Sequence, residues 1–183
     1  MHTWAIPTMF GGCAGVGARW LGALPMLAAL AVWAVSPRPA VLISEDGALA
    51  GVMTPEGRAM SKPRGGGFAA RSWLENDGDP ATQAEAHGRK QAASGGAGRI
   101  ELGDAVLWHV AGRGAADALA GACAAADIVF AALDRPDVPT GCRVYDRAAL
   151  RATGALALYP GPEGPVIVTA RSVTGQRPWN LGQ

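Results

Sequence analysis

Residues Trp20 to Val35, WLGALPMLAALAVWAV, run without a charged side chain into Ser36-Pro37-Arg38-Pro39. A stretch of this kind must leave water: in a bilayer, in a protein core, or by removal as a leader. Counted through Ser36 it is 17 residues, the short end of what crosses a hydrocarbon core. Ala5 to Ala18 is also uncharged but is broken by Gly11, Gly12, Gly15 and Gly17. Arg19 between the two can snorkel to the interface if the helix starts near Leu21, which also puts Pro25 in its first turn or so. Trp20 and Trp33 stand at opposite ends, as interfacial aromatics do.

Two alternatives compete. A cleaved signal peptide needs a basic start and a small-residue site, but the best site, Ala34-Val35-Ser36, is followed by Pro37. A buried soluble helix rarely carries so long an unbroken run. The expectation is one transmembrane helix over about residues 20–36, within an N-terminal segment 1–36. One basic residue precedes it (Arg19) and several follow (Arg38, Arg58, Lys62, Arg64), which favours a cytoplasmic C-terminal part.

Beyond the helix the pattern is that of a small α/β domain. Ala40 to Ser44 reads as a strand, Glu45-Asp46-Gly47 as a turn, and Ala48 to Thr54 as the returning strand. Pro55 to Arg58 turns the chain into Ala59-Met60-Ser61, making a three-strand meander. Phe68 to Asn76 is a short helix with Ala69, Ala70, Trp73 and Leu74 on one face and Arg71 and Glu75 on the other. These elements fill residues 37–76. Residues 77–98 are polar and rich in Gly and Ala, without a period that buries a face, and read as a flexible loop.

Order is expected again over 99–183. Ile100 to Leu102 and Ala105 to Ala111 read as strands. Ala115 to Ala126 reads as a helix with Ala115, Leu119, Ala122, Cys123 and Ala126 on one face. Asp127 to Leu133 is a continuous apolar run, expected for a strand covered on both sides. Val144-Tyr145 is a short strand, Asp146 an N-cap for Arg147 to Thr153, and Ala155 to Tyr159 with Val166 to Ala170 a closing hairpin. The alternation suggests one α/β layer.

No chemistry stands out along the chain. Net charge is +1 and the Arg residues are scattered, so no basic stripe draws in nucleic acid. His2, His87 and His109 fall in no zinc spacing; His109 reads as an outward strand residue and His87 as part of the loop. Cys123 reads as a small buried hydrophobe, and its pairing with Cys142 stays open, since it requires an oxidising compartment. Ser72, Ser94 and Ser172 lack a nucleophile elbow, and Gly65-Gly66-Gly67 lacks the Lys-Ser/Thr of a phosphate loop. Asp104 and Asp127 read as turn or cap residues. Catalytic residues, metal ligands and cofactors are all expected to be none.

The order of certain pieces resembles the C-terminal tail of the ComEC-type competence proteins, in the branch with a degenerate metallo-β-lactamase-like terminal domain. These are the membrane helix running into SPRPAVLISEDGALAGVMTPEGR, then FAARSWLENDGD, AAADIVF, CRVYDRAALRATGALALY and a terminal GQRPW. They span about Trp20 to Trp179. LGDAVLWHV is faintly similar to the strand opening such a domain, without the metal-ligand cluster of the active branch. The resemblance implies a degenerate, truncated metallo-β-lactamase-like fold behind a single-pass helix of a bacterial inner membrane, without enzymatic activity. It further implies a structural or assembly role in DNA uptake, with multi-span competence proteins and the lipid bilayer as partners and DNA reached only through such a partner. The pore-forming segments of that family have no counterpart here. Two other readings are an unrelated single-span envelope protein with a partner-binding domain and a metallo-β-lactamase-type hydrolase.

Overall fold

A computed structural model describes residues 16–89, 98–134 and 136–175. His2, Cys13, Ser94, part of the expected 77–98 loop and the GQRPW piece beyond Gly175 lie outside the described residues. The chain divides into two compact units, Met1–Pro37 and Arg38–Gln183.

The described part of the first unit is a helix, α1 (Val16–Val35), of 20 residues. At 1.5 Å per residue it is about 30 Å long. It begins earlier than expected, so Pro25 lies inside the helix and not in its first turn. Leu24, Leu27, Leu30, Val32, Trp33 and Val35 are all exposed and, at 3.6 residues per turn, are distributed around the whole circumference. Among the described residues, no helix is long and apolar enough to cross a membrane.

The second unit is a mixed α/β domain with two sheets where the sequence suggests one layer. The meander forms as expected from β1 (Val41–Ile43), β2 (Ala50–Thr54) and β3 (Gly57–Met60). Helices α2 (Gly67–Asp77) and α3 (Gln83–Gly88) follow. Next come β4 (Arg99–Leu102), β5 (Ala105–Val110), α4 (Ala115–Ala125) and β6 (Ile128–Ala131). The chain continues through β7 (Val144–Tyr145), α5 (Arg147–Thr153), β8 (Leu156–Tyr159), β9 (Val166–Thr169) and α6 (Ala170–Thr174). The closing hairpin β8–β9 joins the meander, since β8 pairs with β1, giving the antiparallel order β3-β2-β1-β8-β9. The second sheet has the order β4-β5-β6-β7, with β5, β6 and β7 parallel.

Alternation along the strands explains the layering. Val41 and Ile43 of β1 and Leu156 and Leu158 of β8 meet Leu107 of β5 and Ile128 and Phe130 of β6, forming the core between the sheets. The opposite face of β6, Val129 and Ala131, packs on Ala115, Leu119 and Ala122 of α4. Outside the first sheet, Met60 packs on Ala70 and Leu74 of α2 and Ala86 of α3. The order is helices, sheet, sheet, helix. All four residues of β6 are buried, as its uninterrupted apolar run requires.

Residues 77–98 are not one loop. Thr82 caps α3 by accepting from the Glu85 N–H while the Glu85 carboxylate accepts from the Thr82 N–H, a capping box that offsets the lack of an amphipathic period in so short a helix. His87 therefore stands on a helix, where its Nδ1–H donates to the Met60 carbonyl at 2.9 Å.

A buried ion pair locks α2 to the meander. Arg58 on β3 is fully buried; its Nε donates to Asp77 Oδ2 at 2.5 Å and its Nη2 to Asp77 Oδ1 at 3.1 Å and the Pro39 carbonyl at 3.2 Å. Gly51 on β2 leaves room for it, since a Cβ there lies 2.9 Å from Arg58 Cδ.

Two sets of variants test this packing. Val129→Asp or Phe130→Asp, in the Arg38–Gln183 unit, places an uncompensated carboxylate in the core. Each should cost several kcal/mol in urea unfolding, about 3 or more. Asp77→Ala, which strands the Arg58 guanidinium, should cost about 3–5 kcal/mol. Midpoints within about half a kcal/mol of wild type would contradict the burial described.

Candidate functional site

Strands β5 and β6 are parallel and end on the same side of the sheet, the position at which open α/β sheets receive ligands. Past β5 the chain turns through Ala111-Gly112-Arg113-Gly114. Gly112 and Gly114 have φ near 84° and 82°, a left-handed conformation that lets the chain reverse directly into α4. Gly114 is the N-cap of α4 and supplies no side-chain cap, so first-turn N–H groups of this helix have no side-chain acceptor from that position.

This turn forms one wall of a cleft of about 600 Å³. Ala50, Val52, Ile100 and Val110 contribute an apolar lining, and Trp108 lines the side. Lys62 after β3, Arg99 on β4, Arg113 in the turn and Arg147 at the start of α5 are its charged lining residues; among the described residues no Asp or Glu lines it. Arg99 is held by Glu101 at 2.8 Å, and Arg147 by Asp134 at 2.6 Å. Lys62 and Arg113 form no ion pair among the described residues.

His109 also borders the cleft, and here the sequence expectation fails. It is 7% exposed and faces the first sheet, where its Nε2–H donates to the Gly47 carbonyl at 2.8 Å. A carbonyl only accepts, which fixes the proton on Nε2. Gly47 in turn has φ near 67° and a virtual Cβ 2.9 Å from Leu150 Cδ1, so only glycine fits there.

The remaining candidates have structural duties. His87 and His109 each donate a ring N–H to a carbonyl, and among the described residues no three His, Cys, Asp or Glu side chains gather as a metal site. Cys123 on α4 and Cys142 before β7 form a disulfide with Cα atoms 5.4 Å apart. The Asp127 carboxylate accepts from the Val106 N–H at 2.8 Å, and Asp104 is exposed in the β4–β5 turn. Ser172 donates to the Thr169 carbonyl within α6, and Ser72 lies on α2. Gly65 and Gly66 form the left-handed turn into α2. The four cleft cations were not singled out by sequence because 85 residues separate the first from the last. The readable signal was Gly112-Arg113-Gly114 between an apolar strand and a helix.

Comparison with family models, with curated proteins and with solved structures finds no match.

Two aspartates titrate below their ordinary range. The Arg89 guanidinium bonded to Asp79 lowers that carboxyl, outweighing burial. Burial pushes Asp46 up, but the Ser44 hydroxyl, the Ala48 N–H and the nearby Lys62 ammonium outweigh it and hold Asp46 low. Groups with depressed folded values stabilise the fold above the ordinary aspartate pKa of about 3.9, and that contribution is lost as pH falls through the folded values. Urea midpoints measured from pH 6 down to pH 3 should therefore fall for wild type and fall less steeply for Asp79→Asn. Parallel acid limbs would show that the Asp79–Arg89 pair has no such linkage.

Proposed function

We propose that this chain is a membrane-anchored, non-catalytic module related to the tail of ComEC-type competence proteins, serving a structural or assembly role in DNA uptake. The observation that carries the anchor is α1. Its apolar side chains are exposed around the whole circumference, and a helix apolar on all sides is stable only where water is excluded. Its single charged residue, Arg19, falls in the first turns, leaving the uncharged run through Ser36 for the hydrocarbon region. On this reading the module is a single-pass protein of a bacterial inner membrane, which rests on the exposed apolar surface of α1 and not on its length, since no described helix is long and apolar enough to cross a membrane.

The relation to the competence family is supported by where its matching pieces fall. SPRPAVLISEDGALAGVMTPEGR carries the meander β1–β3, FAARSWLENDGD is α2 with its C-cap, and AAADIVF runs from α4 into β6. CRVYDRAALRATGALALY supplies β7, α5 and β8. These four pieces therefore each contribute regular elements of the fold and not loops alone. The Cys123–Cys142 bond supports an outward-facing domain, because disulfides persist in oxidising compartments such as the periplasm. The Lys/Arg count favours the opposite side, but that count is a statistical bias of helix flanks, whereas the bond needs an oxidant.

Three measurements test this reading. Carbonate washing should leave the full-length protein in the membrane pellet; release into the supernatant would remove the anchor. In cells quenched with acid, Cys123 and Cys142 should resist maleimide until a reductant is added; immediate labelling would put the domain in a reducing compartment. Replacing both cysteines with Ser should also cost about 3 kcal/mol, through lost closure of the loop between two residues 19 positions apart. In a transformable host, in-frame deletion should lower transformation about tenfold or more without lowering surface binding of DNA. Unchanged transformation would leave an envelope module unrelated to competence.

A further inference from the structure

We infer that the cleft at the ends of β5 and β6 binds a phosphate ester carrying an apolar or aromatic body. The site is independent of the membrane reading, since it lies wholly within the Arg38–Gln183 unit.

Size, charge and lining each narrow the ligand. About 600 Å³ falls among small-molecule sites, which run from about 300 to 1,000 Å³. Among the described residues the charged ones lining it are all cationic although the chain as a whole carries only +1, so the fold concentrates positive charge here. Of the four, Arg99 and Arg147 are already engaged by Glu101 and Asp134, while Arg113 and Lys62, whose ammonium lies near enough to Asp46 to lower that carboxyl, form no direct ion pair among the described residues. They can therefore accept an incoming anion without breaking an existing ion pair. Arg113 stands in the glycine turn beside the uncapped start of α4, so guanidinium and backbone N–H groups are both available to one phosphate. Ala50, Val52 and Ile100 give part of the lining an apolar character, which suits a ligand whose other end is apolar. Trp108 supplies a π face for a ring.

Isothermal titration of the full chain in neutral detergent micelles tests the site, with phenyl phosphate as probe. Phenyl phosphate should bind in the submillimolar range at low salt and weaken as salt rises. Inorganic phosphate should bind about tenfold more weakly for lack of the ring, and phenol should give no signal. Lys62→Ala with Arg113→Ala should weaken phenyl phosphate about tenfold or more at an unchanged melting temperature. Glu101→Gln, which releases Arg99, should tighten it. A free ester and a lipid headgroup share this chemistry. Nanodiscs containing phosphatidate, compared with phosphatidylcholine alone, separate the sources: competition by phosphatidate for phenyl phosphate identifies the headgroup, and its absence the free ester. No binding at millimolar phenyl phosphate, or equal affinity in the double variant, would overturn the site. Equal affinity for inorganic and phenyl phosphate would mean an unselective anion surface. An oligothymidylate binding far more tightly than thymidine monophosphate would mean a nucleic-acid strand groove instead.

Discussion

The burial of β6 on both faces organises the rest of the second unit. Ile128 and Phe130 close the core between the sheets, while Val129 and Ala131 hold α4. A strand so placed cannot shift register by one residue without exchanging its two apolar faces, and both faces are already filled to match. Phe130 also stacks on Tyr145 at 5.5 Å, which brings β7 alongside in parallel. Burial of each large side chain is worth about 1.5–3 kcal/mol, so four adjacent buried positions make β6 the most concentrated source of stability in this sheet. The parallel partnership with β5 then follows, and with it the common end at which the cleft opens.

The first sheet is held by a less economical device. Arg58 lies fully buried against the outer face of the sheet, and its Nη1 has no hydrogen-bond partner. A buried ion pair seldom adds net stability over an apolar pair of equal volume, because desolvation offsets the attraction. What it provides here is a fixed geometry: Asp77, the last residue of α2, accepts two bonds from Arg58, and its carbonyl accepts from Arg38 at 3.0 Å. The end of α2, the start of β1 and the middle of β3 are thereby held in one arrangement. Asp79, two residues on, repeats the device with Arg89 and ties the end of α3 to the same turn.

Elements whose signal is local could be read directly from the residues. Asp146 as an N-cap, the α2 face of Ala70 and Leu74, and the double-sided β6 each depend on neighbours a few positions away. Two failures share a different cause. The pairing of β8 with β1 joins residues more than a hundred positions apart, and β8 and β9 together look like a self-sufficient hairpin. The inward position of His109 depends on a carbonyl 62 residues away, and nothing in Val-Leu-Trp-His-Val distinguishes an inward histidine from an outward one. The α3 helix is a third kind of miss. Its evidence, Thr82 followed by Glu85, was local and specific, but the search for an apolar period passes over a helix of 6 residues.

The same reasoning explains why the cleft cations escaped notice. Lys62, Arg99, Arg113 and Arg147 belong to four segments that meet only because β6 fixes β5 beside it and the inter-sheet core brings β3 close to β4. Scattered arginines in a nearly neutral chain normally read as solvated surface. Once folded, two of the four form direct ion pairs with carboxylates and two do not among the described residues, and part of the apolar lining beneath them, Ala50, Val52 and Ile100, belongs to the inter-sheet core. An opening into the core rimmed by unpaired cations has a chemical bias toward ligands with both an anionic and an apolar part. That bias arises from two surfaces with separate structural origins: the floor from strand alternation, the charge from the turn and segment ends that border it.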